Sequence, residues 1–278
     1  MRDFTEEEVE TIISLYKTGA KVSEIATKAH CRASTISGVL KSHDVAVKRA
    51  RISSFGLRED YFDAIDTAQK AYYLGLIFTD GSVTPDKCGR STSIRIELTD
   101  SDYGVLYMLR DELNVTNNIT HNKREGRKNG TFSFSIRSEK LAASLATYGI
   151  IQNKTYLTDK LPTVPNEFVK PFIHGLVDGD GSIYFSKGSW HINFCSHSKQ
   201  ICEDFKRICN EAIGRTKKLS IQESNGVYRV TYNGPWAKEL ARTCLNDGMG
   251  IKRKQALVEQ MLKDVDEDIV HSTAKAVV

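Results

Sequence analysis

Two ten-residue stretches, YLGLIFTDGS at 73–82 and IHGLVDGDGS at 173–182, decide how this chain is read. Gly75, Leu76, Asp80, Gly81 and Ser82 return as Gly175, Leu176, Asp180, Gly181 and Ser182, each displaced by one hundred positions. The surroundings return as well. Each stretch follows a helical run (67–71 and 167–171) and precedes strand-like alternation, with SIRIEL at 93–98 matched to WHINFC at 190–195. Helices are expected next at 101–114 and 198–214, hairpins at 116–138 and 217–233, and closing helices at 139–148 and 235–245. The order αββαββα thus runs twice over roughly 210 residues, and a repeat on this scale fixes architecture before any single residue is interpreted.

Within each stretch the small residues fall on one helical face. Gly75 and Thr79 lie four apart, as do Gly175 and Gly179, so two such faces can approach until their backbones nearly touch. Close packing accounts for the glycines. It does not account for an Asp-Gly-Ser at the C-terminal end of both helices. A carboxylate there faces the negative pole of the helix dipole, and two of them side by side repel unless a cation intervenes.

These motifs resemble those of the LAGLIDADG homing endonucleases, with the double-motif, single-chain members as the nearest pattern, over about residues 67–262. The resemblance implies an α+β fold: a pseudo-twofold pair of αββαββα domains, 61–160 and 161–278, whose antiparallel sheets form a saddle for DNA. It implies that Asp80 and Asp180 are catalytic and hold divalent metal, Mg²⁺ with Mn²⁺ able to replace it, one acid serving each strand. It implies a monomer acting on double-stranded DNA with a long recognition site. The first motif departs at Phe78, where the second keeps Asp178; the family does not use that position for metal. Lys154 and Lys254 occupy corresponding places after the last helix of each half, and the catalytic-pocket lysines are assigned to Lys154 and Lys252, with Gln152 opposite the latter. Simple phosphate contact remains the alternative for Lys252, Arg253 and Lys254. Asp100 and His197 match positions that organise water.

Strand alternation turns Ile94, Ile96, Leu98, Phe132, Phe134 and Ile136 inward and leaves Arg95 and Arg137 facing DNA, with Arg229 and Thr231 doing so in the second half. A merely solvated sheet would show the same alternation. A DNA-binding regulator that has lost cleavage and an RNA maturase stay open as readings of the same fold. Retention of both motif acids favours the nuclease.

Ahead of the repeat, residues 1–46 read as three short helices. Thr5 caps the first, Gly19 ends it, and Ile12, Ile25, Ile36 and Leu40 supply apolar faces. The string VSEIATKAHCRASTISGVLKSHDV resembles a helix-turn-helix, with the third helix reading DNA through Arg32, Ser34, Thr35, Ser37 and Lys41. A protein-docking role is the competing reading. The following segment, 47–60, is a basic linker whose Lys48, Arg49 and Arg51 suit a minor groove.

Bulk composition agrees with a globular partner of a polyanion. Net charge is only +4, with 40% hydrophobic and 27% charged residues among 278, but residues 17–51 concentrate eight Lys or Arg against two acids. The six cysteines include no C-x-x-C pair, which argues against a zinc site. With no apolar run of membrane-spanning length and no signal peptide at its start, the chain is expected in a reducing cytoplasm.

Overall fold

The computed structural model describes residues 4–20, 22–45, 56–85, 91–123, 129–216 and 218–275. The chain divides into two units, Met1–Ile52 and Ser53–Val278. Lys48, Arg49 and Arg51 of the basic linker, and Arg124, Arg127 and Lys128 of the first hairpin, fall outside the described residues.

In the N-terminal unit, α1 (Glu6–Lys17), α2 (Val22–Lys28) and α3 (Ala33–Ser42) enclose a small core of Ile12, Ile25, Ala26, Ile36 and Leu40. Thr5 and Glu8 form a reciprocal capping box: the threonine hydroxyl accepts from Glu8 N, and the glutamate accepts from Thr5 N. Such caps contribute about 1 kcal/mol and fix where the helix starts. Gly19, at φ +102°, turns the chain out of α1. On α3, Arg32, Ser34 and Lys41 are exposed and Thr35 and Ser37 are half-exposed.

The larger unit is the duplication made solid. Its first half runs α4 (Ala68–Asp80), β1 (Gly81–Pro85), β2 (Thr92–Thr99), α5 (Gly104–Glu112), β3 (Thr120–Asn122), β4 (Thr131–Arg137), α6 (Glu139–Thr147) and α7 (Lys154–Leu157). The second runs α8 (Val169–Asp180), β5 (Gly181–Ser186), β6 (Ser189–Ser196), α9 (Lys199–Ile213), β7 (Gln222–Ser224), β8 (Val227–Asn233), α10 (Pro235–Leu240) and α11 (Lys252–Lys275). Each half forms a four-stranded antiparallel sheet, ordered β1-β2-β4-β3 and β5-β6-β8-β7. The two motifs form the C-terminal parts of α4 and α8, and one hydrophobic core runs through both halves around that helix pair.

The glycines decide how closely these helices meet. A Cβ on Gly75 would stand 2.5 Å from the carbonyl oxygen of Phe172, and one on Gly175 would overlap that of Tyr72. Only hydrogen at both positions lets the backbones touch.

Strand pairing corrects one expectation. Ile96 lies opposite Gly81 and Phe134, while Phe194 lies opposite Gly181 and Val230. Structure therefore matches 93–98 with 191–196, one residue later than the sequence comparison. The hairpin between β5 and β6 turns at Lys187 and Gly188, whereas the link between β1 and β2 is longer, and text comparison cannot see that difference. A one-residue slip exchanges the two faces of a strand, so Glu97 corresponds to Cys195 on the outward face. Within the first sheet the expected alternation is present: Ile94, Ile96, Leu98, Phe134 and Ile136 are buried, while Phe132 is only half-buried. Arg95 and Arg137 are exposed, and so is Arg229, with Thr231 half-exposed.

Candidate active site

Helices α4 and α8 end at the same place, so Asp80 and Asp180 are delivered together. Because Gly179 lacks a side chain, the Asp80 carboxylate can lie against it; a Cβ there would stand 2.7 Å from Asp80 Oδ2 and collide with Thr79. Asp80 is half-buried and Asp180 is exposed. Burial, then the neighbouring Asp180 charge, pushes the Asp80 carboxyl up to about 7, against the pull of Lys254 and Lys154. The Asp180 carboxyl is raised too, by the protein crowded around it although its rim opens to solvent; Lys154, Lys254 and His197 oppose that rise. Two carboxyls that resist ionisation side by side form a place where positive charge is wanted.

Two lysines stand behind them. Lys154 Nζ donates to Thr79 O at 3.1 Å and to Gly81 O. Lys254 Nζ donates to Val177 O, Asp178 O and Gly181 O at 2.6–2.8 Å. Each ammonium therefore sits on the carbonyls that close a motif helix, at the negative end of its dipole. Burial lowers the pKa of both, with nearby aspartates pulling it back up. In the second half the lysine that contacts the motif is Lys254, not Lys252, to which the sequence assigned the catalytic pocket. Lys254 is 4% exposed and reaches the motif, whereas Lys252 is exposed in the first turn of α11. Only the side of α11 turned to the core can reach the helix end, and position 254 occupies it. A signal was available: Lys154 follows Asp80, and Lys254 follows Asp180, by the same 74 residues.

Beside Asp180 opens a cavity of about 170 Å³ lined by Phe78, Lys154, Thr155, Cys195 and His197 among others. His197 Nδ1 lies 3.2 Å from Gly226 O; a carbonyl can only accept, so Nδ1 carries the proton and Nε2 is left as an acceptor when the ring is neutral. In the other half, Asp100 accepts from Gly130 N at 2.9 Å and pairs with His121 Nε2 at 3.0 Å. Gly130 and Gly226 hold the same position before β4 and β8, and each anchors one of these side chains, Gly130 through its N–H and Gly226 through its carbonyl. The halves are also tied across the site by Arg253, whose guanidinium grips Asp102 through Nε at 3.1 Å and Nη2 at 2.8 Å.

Away from the acids, the helix pair carries a polar network that sequence reading missed. Asp178, 3% exposed, accepts from Tyr72 OH and from Ile251 N, each at 2.7 Å. His174 stands 3.8 Å from it and pairs through Nδ1 with Asp247 at 2.9 Å. The first half has no counterpart, since Phe78, Leu74 and Thr147 hold the matching places.

Residues 67–149 and 167–243, more than half of the chain, match the LAGLIDADG-like domain. The chain belongs to the LAGLIDADG family. Its two matched segments are the two halves of the larger unit, so this is a double-motif member with both motifs in one chain. Among solved structures it resembles the homing endonuclease I-DmoI in complex with DNA and Ca, at 19% identity over 73% of this chain and 98% of that one, with a TM-score of 0.49. It also resembles mesophilic variants of I-DmoI, at 18% identity over 73% and 98%, TM-score 0.47. The meganuclease I-SmaMI bound to uncleavable DNA matches at 13% identity over 71% and 92%, TM-score 0.45. No curated protein shows significant sequence similarity to this LAGLIDADG chain. No helix among the described residues is long and apolar enough to cross a membrane.

Proposed function

We propose that this LAGLIDADG protein is a site-specific DNA endonuclease that hydrolyses a phosphodiester on each strand, with divalent metal held by Asp80 and Asp180. The observation that carries the reading is the pair of ionisation-resistant carboxyls at the joined ends of α4 and α8, backed by Lys154 and Lys254.

The donor set fits a hard cation. The donors are carboxylate oxygens, and the cradle at Gly179 leaves room for them. No group of three or more His, Cys, Asp or Glu among the described residues could hold a metal by itself. That suits Mg²⁺, which takes one or two carboxylates and completes its shell with water and substrate phosphate; Mn²⁺ accepts the same ligands. Bound there, the metal neutralises the scissile phosphate and lowers the pKa of a coordinated water.

The chain's own residues do the rest. Lys254 spends all three N–H donors on carbonyls, so it positions the helix end and supplies field rather than a proton. Lys154 spends two, which leaves a third for phosphate or water in the cavity beside Asp180. His197 on that side, and Asp100 on the other, orient the attacking water. The sheet faces bearing Arg95, Arg137, Arg229 and Thr231 read the major groove. In the N-terminal unit, α3 adds a second DNA contact through Arg32, Ser34, Thr35, Ser37 and Lys41.

The test is cleavage of a plasmid library carrying randomised inserts in Mg²⁺. Wild-type protein linearises a defined subset of plasmids, and Asp80→Asn or Asp180→Asn loses double-strand cutting. Equal activity in wild type and variants would defeat the reading, as would wild type that linearises nothing.

A further inference from the structure

The outward faces of the two sheets are unequal at one row. In the first sheet Glu97 pairs with Ser133, and Glu97 also holds Arg95 Nη2 at 2.7 Å and the Thr131 hydroxyl at 2.5 Å. The fork of Arg95 is thus partly spent within the protein. In the second sheet the same row reads Cys195, Arg229 and Gln222 across β6, β8 and β7. Arg229 Nε donates to Cys195 Sγ at 3.3 Å; the side chain is exposed, and no hydrogen bond occupies its terminal amino groups among the described residues. Cys195 is half-buried and also lines the cavity beside Asp180, so this arginine stands next to a cutting centre. Tyr184, stacked on His191 at 5.0 Å, stands two rows along the same face, beyond the Asn193–Thr231 row.

Thiol sulfur is a weak acceptor, but its position matters here more than its strength. An arginine has among the largest rotamer freedom of the side chains, and an anchor at Nε removes part of it before DNA arrives. With Nε taken, the remaining donors are the parallel Nη1 and Nη2 pair, the end-on fork that matches the O6 and N7 acceptors of guanine in the major groove.

We infer that Arg229, anchored by Cys195, reads a guanine in the half-site next to the Asp180 centre, with Cys195 as its positioning residue. This rests on the DNA-reading role proposed above. It assigns a base to one side chain and a function to a cysteine that catalysis does not need.

The experiment uses the full-length chain carrying Asp80→Asn and Asp180→Asn, so that bound DNA survives, and a randomised duplex library. Selection with this protein returns a long consensus containing a guanine whose replacement weakens binding on the order of 10- to 100-fold, the range expected of a bidentate contact. Added Arg229→Ala erases the preference at that position alone. Cys195→Val weakens the same preference about threefold, and Cys195→Ser, which keeps an acceptor in place, restores it. Matching thermal unfolding curves keep folding out of the comparison. If Arg229→Ala lowers affinity equally at all positions, the residue contacts phosphate and the inference falls. Should Cys195→Val leave the guanine preference untouched, the anchoring role falls. If no consensus emerges with Arg229 and Cys195 intact, the DNA-reading role fails beneath it.

Discussion

Replacing Asp80 with asparagine should make the protein more stable while removing its activity. In the folded chain the Asp80 carboxyl releases its proton near pH 7, against an ordinary value of 3.8. Between those limits the folded state holds a proton that the unfolded chain has already lost. The stabilisation tied to that proton is complete below about pH 4 and is gone once pH has risen through 7. At 1.36 kcal/mol per decade, the full difference is roughly 4 kcal/mol. Asp80 is half-exposed and solvent screens part of the effect, so about 2 kcal/mol is a realistic share. For a unit of this size that is roughly 4–8 °C in Tm. Thermal unfolding followed by circular dichroism in EDTA should show Asp80→Asn melting higher than wild type at pH 8, with the gap closing as pH falls to 4. Added Mg²⁺ should raise the wild-type Tm and leave the variant unchanged. Equal melting at pH 8, or a gap that widens toward acid, would refute the argument that this carboxylate is held ionised at a cost to the fold.

Two further outcomes follow from the helix pair and its lysines. Gly175→Ala places a methyl on the Tyr72 carbonyl and should destabilise the larger unit by at least about 3 kcal/mol, measured by urea unfolding, whereas the same change at Gly38, inside α3 with open space around it, should stabilise the small unit by up to about 1 kcal/mol. Lys254→Met leaves three helix-end carbonyls without their donor and should lower cleavage by on the order of 100-fold or more, while Lys252→Met, at an exposed position, should stay within about threefold of wild type in the same plasmid assay.

The repeat was legible because duplication writes itself twice: Gly75 with Gly175 and Asp80 with Asp180 needed no structure to be paired. Helix starts were legible where a hydroxyl announced them, as at Thr5. Strand register was not: the two hairpins differ in length, and matching the strands on their residue types alone left them one place out of step. That slip hid Cys195, which sequence matching put opposite the buried Leu98. The repeat spacing already pointed to Lys254 over Lys252, but why that position faces the motif lies in the packing of distant segments against α11. The bonds to Asp178 were beyond sequence reading for the same reason: Tyr72 and Ile251 come from distant segments, and only His174, one turn back on the same helix, stood within reach of the sequence.

That buried acid has a consequence for how the molecule is assembled. An ancestral pair of identical halves would place the same residues on both sides of the helix seam. Here Asp178 relies on a phenol that only the first half supplies, and the second half offers Phe172 in its stead. Two copies of the second half pressed together would therefore bury a carboxylate against a bare phenyl ring, and two copies of the first would bury the Tyr72 hydroxyl against Phe78. Each half is thus a lock for the other and a misfit for itself. The seam enforces one heterologous pairing, and with it one fixed order of the two unlike sheets.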